Sequence, residues 1–265
     1  MRIAKILGLA GTATLLSTSV IAADLFTPPP PPNLMPHMAP VTSGWYLRGF
    51  IGASNEFLPN VTRPDFLISP QFAFIEKGTF DTAPFGGGGI GYQWNSWVRT
   101  DATVEYRGRT GFHAVDRFFN SAAPIPAFNT TEFSASKTEI VALANLYLDL
   151  GTWWCVTPFI GGGVGAASIK IDQFRELNLT TGAGNWADTA TKTNFAWALH
   201  AGVAYKVTPT FALELSYRYL NVGDAQNGNV LNIDPTIIPV TPLGPLTFHN
   251  IQSNDIILSA RVLVQ

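Results

Sequence analysis

Charged residues recur at every second position in several apolar segments of this chain. The alternation is cleanest in residues 97–107, and it returns in residues 211–220. A period of two directs alternate side chains to opposite faces of a β-strand, so each such strand has one apolar and one charged face. The charged faces hold nine acids and bases: Arg48, Arg99, Asp101, Glu105, Arg107, Glu139, Glu214, Arg218 and Arg261.

The nearly balanced signs of these nine residues favour two kinds of chemistry. In a narrow space they would pair into an ion-bonded plug, since buried charges are tolerated only when they are paired and hydrogen-bonded. Around an open passage the same residues would act as a charge-selective filter. We favour the plug because a small barrel is usually filled by its own side chains.

The histidines are candidates for catalysis or iron binding. They are His37, His113, His200 and His249. His249 with Ser253 and Asp255 has the residue types of a hydrolase triad, but no signature supports one and a loop position is the simpler interpretation. His113 and His249 keep haemin binding open, since neutral imidazole ligates iron. Metal-binding Cys/His spacing is absent, so we expect no enzyme, no metal and no cofactor.

A glycine-rich stretch, Gly86–Gly91, formally matches the GxGxxG signature of nucleotide sites. That signature requires a following helix, whereas here Tyr92, Gln93 and Trp94 continue a strand into a turn. We therefore assign no nucleotide site. Glycines here and at 161–165 are better explained as inward positions that leave room for long Arg and Glu side chains.

The elements that position these residues are about eight strands in which long and short connections alternate. Long connections are predicted at 54–82, 108–136, 171–193 and 221–252, and short turns near 95–97, 150–157 and 206–209. A meander with long loops at one rim and tight turns at the other is typical of an outer-membrane barrel. Soluble barrels and sandwiches have no reason for this asymmetry.

Aromatic residues gather where the short turns are predicted. Amphipathic rings favour the headgroup level of a membrane, so this clustering predicts an interfacial girdle. Its members are Trp45, Tyr46, Trp94, Trp97, Trp153, Trp154, Tyr205 and Phe211.

Composition and the first residues agree with export to a membrane. Hydrophobic residues make up 46% and charged residues 13% of the 265 residues, and the net charge of −2 excludes a basic nucleic-acid-binding protein. Residues 1–23 have the pattern of a signal peptide, and residues 24–43 form a proline-rich periplasmic tether before a barrel at 44–265. The single cysteine, Cys155, permits no internal disulfide.

Three motifs resemble a known family. GWYLRG at 44–49, AADLF with the prolines after it, and NLYLDLGTWWCVTPFIGGGVG at 145–165 are similar to small outer-membrane β-barrel proteins of alphaproteobacteria, of the 25- and 31-kDa surface antigen type. The resemblance covers the whole mature chain. It implies abundant surface proteins of the cell outer membrane, some of them porin-like and some haemin-binding.

The sequence thus predicts an all-β protein, an eight-stranded antiparallel transmembrane up-and-down β-barrel with long extracellular loops and short periplasmic turns. The expected function is structural and surface-interactive, with a small porin-like channel and a haemin or host-ligand binder as alternatives. Expected partners are outer-membrane lipid and lipopolysaccharide, the barrel-assembly machinery, and small solutes or haemin, with no nucleic acid.

Overall fold

The structure, a computed structural model, describes residues 43–63, 72–120, 127–232 and 244–264. All of these belong to one compact unit, Met38–Gln265. The predicted signal peptide and all of the tether except Ser43 lie outside the described residues. Within them, no helix is long and apolar enough to cross a membrane, a finding that does not bear on β-barrels.

Every regular element of the described residues is a β-strand. The strands are β1 (Gly44–Phe57), β2 (Asn60–Thr62), β3 (Ala73–Glu76), β4 (Ala83–Gln93), β5 (Val98–Asn120), β6 (Ala127–Asp149), β7 (Val156–Asn178), β8 (Gly184–Ala187), β9 (Ala190–Lys206), β10 (Phe211–Gln226), β11 (Val230–Asn232) and β12 (Thr247–Val264).

Eight of these strands form a closed antiparallel ring in the order β1, β4, β5, β6, β7, β9, β10, β12. Strand β12 returns to pair with β1, from Trp45 opposite Val264 to Phe57 opposite Gln252. Because the ring closes, its strands have no unpaired edge along the shared register. The all-β, eight-stranded antiparallel barrel predicted from the sequence is confirmed.

The period of two sorts side chains between the interior and the outer surface. In β6, Leu146 is 50% exposed on the outside whereas the next residue, Tyr147, is fully buried inside. Large apolar side chains such as Ile51, Leu199 and Ile256 are likewise exposed on the outer face. An outward apolar band around a closed ring is the surface that a bilayer covers.

The strands extend far beyond the predicted spans, which is a correction to the loop boundaries. Strands β5, β6 and β7 each have 23 residues, about twice the 9–11 residues that cross a bilayer. Much of the predicted loops at 108–136 and 171–193 is therefore strand. The alternation persists there with apolar residues turned inward, as at Phe112 and Phe133.

These extensions enclose a hydrophobic core at the end of the barrel away from the short turns. Its centre is an aromatic trio in which the rings of Phe80, Phe112 and Phe248 have centroids 5.0–5.5 Å apart. Leu58, Ile169 and other buried aliphatic residues surround the trio.

Most of the aromatic residues predicted for the girdle are exposed near the short turns, with one correction. Its exposed members are Trp45, Trp94, Trp97, Trp153, Trp154 and Tyr205. The prediction was wrong for Tyr46, which shares the inward face with Arg48 and is fully buried. Phe211, in line with the exposed Leu213 and Leu215 of β10, is partly exposed.

Candidate functional site

The barrel interior holds all nine charged residues singled out in the sequence. Each is at most 5% exposed, and each makes an ion pair. They fall into two groups along the barrel. The lower charge cluster, near the short turns, consists of Arg48, Arg99, Asp101, Asp149, Glu214 and Arg261. The upper charge cluster consists of Glu56, Glu105, Arg107, Lys137, Glu139, Arg218 and Asp255.

Glu214 is the centre of the lower charge cluster. Its carboxylate oxygens lie 3.0 Å from Arg261 Nε, 3.2 Å from Arg99 Nη1 and 3.5 Å from Arg48 Nη2. Arg48 also contacts Asp101 at 3.2 Å. With Asp149 on Arg99, the cluster has three cations and three anions, so its formal charge is balanced.

The upper charge cluster is built around two arginines. Arg218 Nη2 lies 2.7 Å from both Glu105 Oε1 and Asp255 Oδ2. Arg107 contacts Asp255 at 3.0 Å and Glu139 at 3.0 Å. The contacts with Glu105 and Asp255 are charge-assisted hydrogen bonds, which are stronger than neutral ones and fix the positions of both partners.

Two of these pairs reach across the full width of the barrel. Strand β5 carries Arg99 and Glu105, and strand β10, four places away around the ring in either direction, carries Glu214 and Arg218. Glu105 meets Arg218, and Arg99 meets Glu214, at the barrel axis. The interior is therefore bridged by side chains from opposite walls at two levels.

A small polar cavity separates the two clusters. Its volume is about 10 Å³, and its lining includes Arg48, Asn145, His200 and Arg218. His200 contacts Asn145 Oδ1 through Nε2 at 3.2 Å. A cavity of this size is at the lower limit for one water molecule.

Inward glycines allow close packing inside the barrel, but at the two positions given next a Cβ atom would meet a backbone or an amide oxygen rather than the Arg and Glu side chains that we expected. A Cβ atom on Gly89 would lie 2.2 Å from the Ala102 carbonyl oxygen, and one on Gly163 would lie 2.0 Å from Asn145 Oδ1. The GxGxxG match lies inside strand β4, with no helix after it, so it has none of the geometry of a nucleotide site.

Sequence reasoning left four charged members of the network out of the candidate set. Lys137 lies just after the predicted loop at 108–136, Asp149 lies just before the predicted turn at 150–157, and Glu56 lies inside the predicted loop at 54–82. Asp255 was on the charged face of the last predicted strand but was considered only for a triad. Continuing the alternation past the predicted strand ends would have found Glu56, Lys137 and Asp149.

The candidate triad is not assembled. Ser253 and Asp255 are buried inside, where both bond Arg107, whereas His249 is partly exposed and contacts Thr62 at 2.7 Å and Asp224 at 3.5 Å. His113 is also exposed, with Glu132 at 2.9 Å. In the described ranges no group of three or more His, Cys, Asp or Glu side chains is arranged to hold a metal ion. Cys155 is exposed in a short turn.

Comparison with known proteins agrees with the barrel architecture. The family model described as "Outer membrane protein beta-barrel domain" matches residues 35–239. An uncharacterized protein of Brucella abortus (strain 2308) is 32% identical over 235 residues, which cover 80% of this chain and 81% of that protein. Outer membrane protein PagN of Salmonella typhimurium is 30% identical, over 70% of this chain and 77% of PagN.

A more distant relative is a protein of Rickettsia prowazekii (strain Madrid E), named as a candidate adhesin. It is 30% identical over 145 residues, which cover 54% of this chain and 60% of that protein. The family match spans well over half of the chain, and the barrel has an apolar outer band. This chain belongs to the outer membrane protein beta-barrel domain family, and its location is the outer membrane of a Gram-negative cell.

Proposed function

We propose that this protein is a structural and surface-interacting component of the outer membrane whose lumen is closed by its own side chains. The observation that carries the proposal is the pair of bridges across the barrel, Glu105 to Arg218 and Arg99 to Glu214. We also propose that the barrel-assembly machinery inserts the protein and that lipid and lipopolysaccharide surround it in the membrane. Its type would be the 25- and 31-kDa surface antigen type that the sequence resembles.

Energetics supports a closed lumen. Opening a passage between the two walls would separate buried charges, and removing one partner of such a pair typically destabilises a protein by about 3–5 kcal/mol. The apolar core around Phe80, Phe112 and Phe248 adds a second obstruction toward the extended end. A hydrated passage would need both the charge clusters and this core to rearrange.

Single-channel recording tests the closed lumen. Refolded protein, checked by its heat-dependent gel shift, is added to a planar bilayer, and we expect no reproducible conductance steps. Steps whose size changes on Glu105→Gln or Arg218→Gln substitution would instead establish the porin-like alternative. Conductance steps whose size is unchanged by both substitutions would indicate a conducting pathway outside the charge clusters and would also overturn the proposal.

A surface-interaction role is supported by apolar side chains on the extended strands. Phe128, Leu177, Leu179 and Trp186 are each 42–53% exposed and lie on neighbouring strands or at their ends. Exposed apolar groups in one region often mark interaction sites. The Rickettsia relative is named as a candidate adhesin, which agrees with this role. Adhesion to host cells should fall with Trp186→Ser while the barrel remains folded; unchanged adhesion would exclude this region.

Haemin binding has weaker support. The ring nitrogens of His113 are near Glu132 and Glu76, and those of His249 are near Thr62 and Asp224, so iron ligation would displace existing contacts. Titration with haemin should therefore give no saturable Soret shift. A shift that is lost in His113→Ala or His249→Ala would establish a haemin site. Likewise, expression should leave lipid A unmodified, since we propose no enzymatic activity.

A further inference from the structure

Three charged side chains lie together on the outer face of β5 and β7. Arg109 Nη2 is 3.0 Å and Lys170 Nζ is 3.7 Å from the same atom, Oδ2 of Asp172. Both cationic side chains remain about half exposed, at 50% and 48%, whereas that of Asp172 is only 10% exposed. The shared carboxylate holds two cations side by side and leaves the group with one net positive charge.

The group lies directly above the apolar band that faces the bilayer. Along β7 the outward side chains Val164 and Ala166 are followed by Ser168 and then Lys170. On β5, Arg109 follows the exposed Tyr106, a residue type typical of membrane interfaces. Because the short turns are periplasmic in such barrels, this level corresponds to the headgroups of the outer leaflet.

Irregular pairing helps to place the group. The register shifts between Arg107 and Thr110 on β5, and again between Ser134 and Ser136 where β6 meets β7. Gln173, next to Asp172, has a φ of 53°. β-Bulges redirect side chains and are common near functional sites. The two bulges bring Arg109 within reach of Asp172, two strands away.

On the other ring strands, as far as the described residues extend, the first polar outward side chains above the apolar band are uncharged, and on β7 this residue is Ser168, just before Lys170. A third cation at this level is Lys192 of β9, whose side chain is 34% exposed and lies 3.9 Å from Asp224. Arg109 and Lys170 differ from Lys192 because they share one carboxylate and each remains about half exposed. This arrangement leaves two cations side by side and indicates a localised site for an anion.

We propose that Arg109 and Lys170 bind a phosphate group of lipopolysaccharide in the outer leaflet. Arginine presents a planar fork of N–H donors to phosphate oxygens, and lysine adds a point charge. A phosphate on the sugar headgroup of this lipid lies at the level of the two cations, with its acyl chains against the apolar band below. The site depends on membrane insertion alone and not on whether the lumen is closed.

The test measures binding of fluorescently labelled lipopolysaccharide to the full-length folded protein. Each basic residue near a charged lipid surface contributes about fivefold in affinity, so Arg109→Gln with Lys170→Gln should weaken binding by roughly 25-fold. Lipopolysaccharide treated with phosphatase should bind the parent protein as weakly as the intact lipid binds the double variant. Asp172→Asn should strengthen binding, since it removes the one negative charge.

Arg175→Gln is the matched control, because Arg175 is an exposed arginine on the same strand but five residues farther from the membrane. It should leave the affinity unchanged. Equal affinity of the parent and the double variant, both with an intact heat-dependent gel shift, would overturn the site. If the double variant does not fold, Lys170→Gln alone should weaken binding about fivefold. Saturable binding of inorganic phosphate with micromolar affinity in the absence of lipid would overturn the assignment to a lipid headgroup.

Discussion

Arg218 Nη2 lies 2.7 Å from Glu105 Oε1, although the two residues stand on opposite walls of the barrel. Both side chains are almost fully buried, so neither charge has water as an alternative partner. The contact ties strands that share no backbone hydrogen bond. It thus adds a constraint on barrel shape that the ring of paired strands does not supply.

A double-mutant cycle should measure this constraint. Glu105→Ala or Arg218→Ala should each lower the free energy of unfolding by about 3–5 kcal/mol, because each leaves a buried charge without a main partner. The double variant should lose less than the sum, with a coupling free energy above about 1.5 kcal/mol. Urea unfolding in detergent gives the values. The exposed pair His113–Glu132 is the control, with an expected coupling free energy of about 0–1 kcal/mol. Similar coupling free energies for the two pairs would contradict the role of the Glu105–Arg218 contact as a constraint on barrel shape.

Glu214 gives a second test, since three arginines converge on its carboxylate. Glu214→Lys would place a fourth cation among them, so we expect at least about 3–5 kcal/mol of destabilisation or failure to fold. Glu214→Gln should be milder because it keeps the shape of the side chain and adds no positive charge. An unchanged thermal unfolding midpoint for Glu214→Lys, with Glu132→Lys as the surface control, would argue against an ion-paired interior.

Alanine substitutions at two neighbouring glycines compare the packing of the inward face with that of the outer face. Gly89→Ala should destabilise by about 1–3 kcal/mol, since its Cβ would meet Ala102 O at 2.2 Å and Thr103 Cγ2 at 2.8 Å. Gly49→Ala on the adjacent strand should change stability by no more than about 0.5 kcal/mol, because nothing lies within 4 Å of its Cβ. Unfolding midpoints in detergent compare the two, and equal effects would contradict the assigned packing.

Alternation predicted the ring and the inward charges because a strand with lipid outside and charge inside has an unambiguous period of two. The same alternation predicts that the side chain of Tyr46 points inward, because Tyr46 is two residues before the inward Arg48. Proximity to a short turn led to its wrong assignment to the girdle. A turn sets the height of a residue, whereas its face depends on its parity in the strand.

The extended strands were harder to predict because their two faces do not differ consistently in polarity. Above the bilayer the outer surface meets water and the interior is partly apolar, so the pattern reverses relative to the membrane span. Lys137 and Glu56 lie near this reversal, and their pairing at 2.6 Å joins strands three places apart in the ring. No local sequence pattern encodes such a contact.

Asp116 makes the extended end of the barrel sensitive to pH. Burial raises the pKa of its carboxyl group from 3.8 to about 6, against the hydrogen bond that its Oδ1 accepts from the Thr131 N–H. Because the pKa of Asp116 is higher in the folded protein than in the unfolded chain, protonated Asp116 stabilises the fold. This contribution is fully present below pH 3.8 and is lost as the pH rises through about 6. Hydrogen exchange of β6 amides near Thr131, corrected for the intrinsic rate, should therefore show increasing local opening across this window. Asp116→Asn should remove that part of the pH dependence, because an amide does not titrate. An identical pH profile in the variant would contradict the assignment of this pH dependence to Asp116.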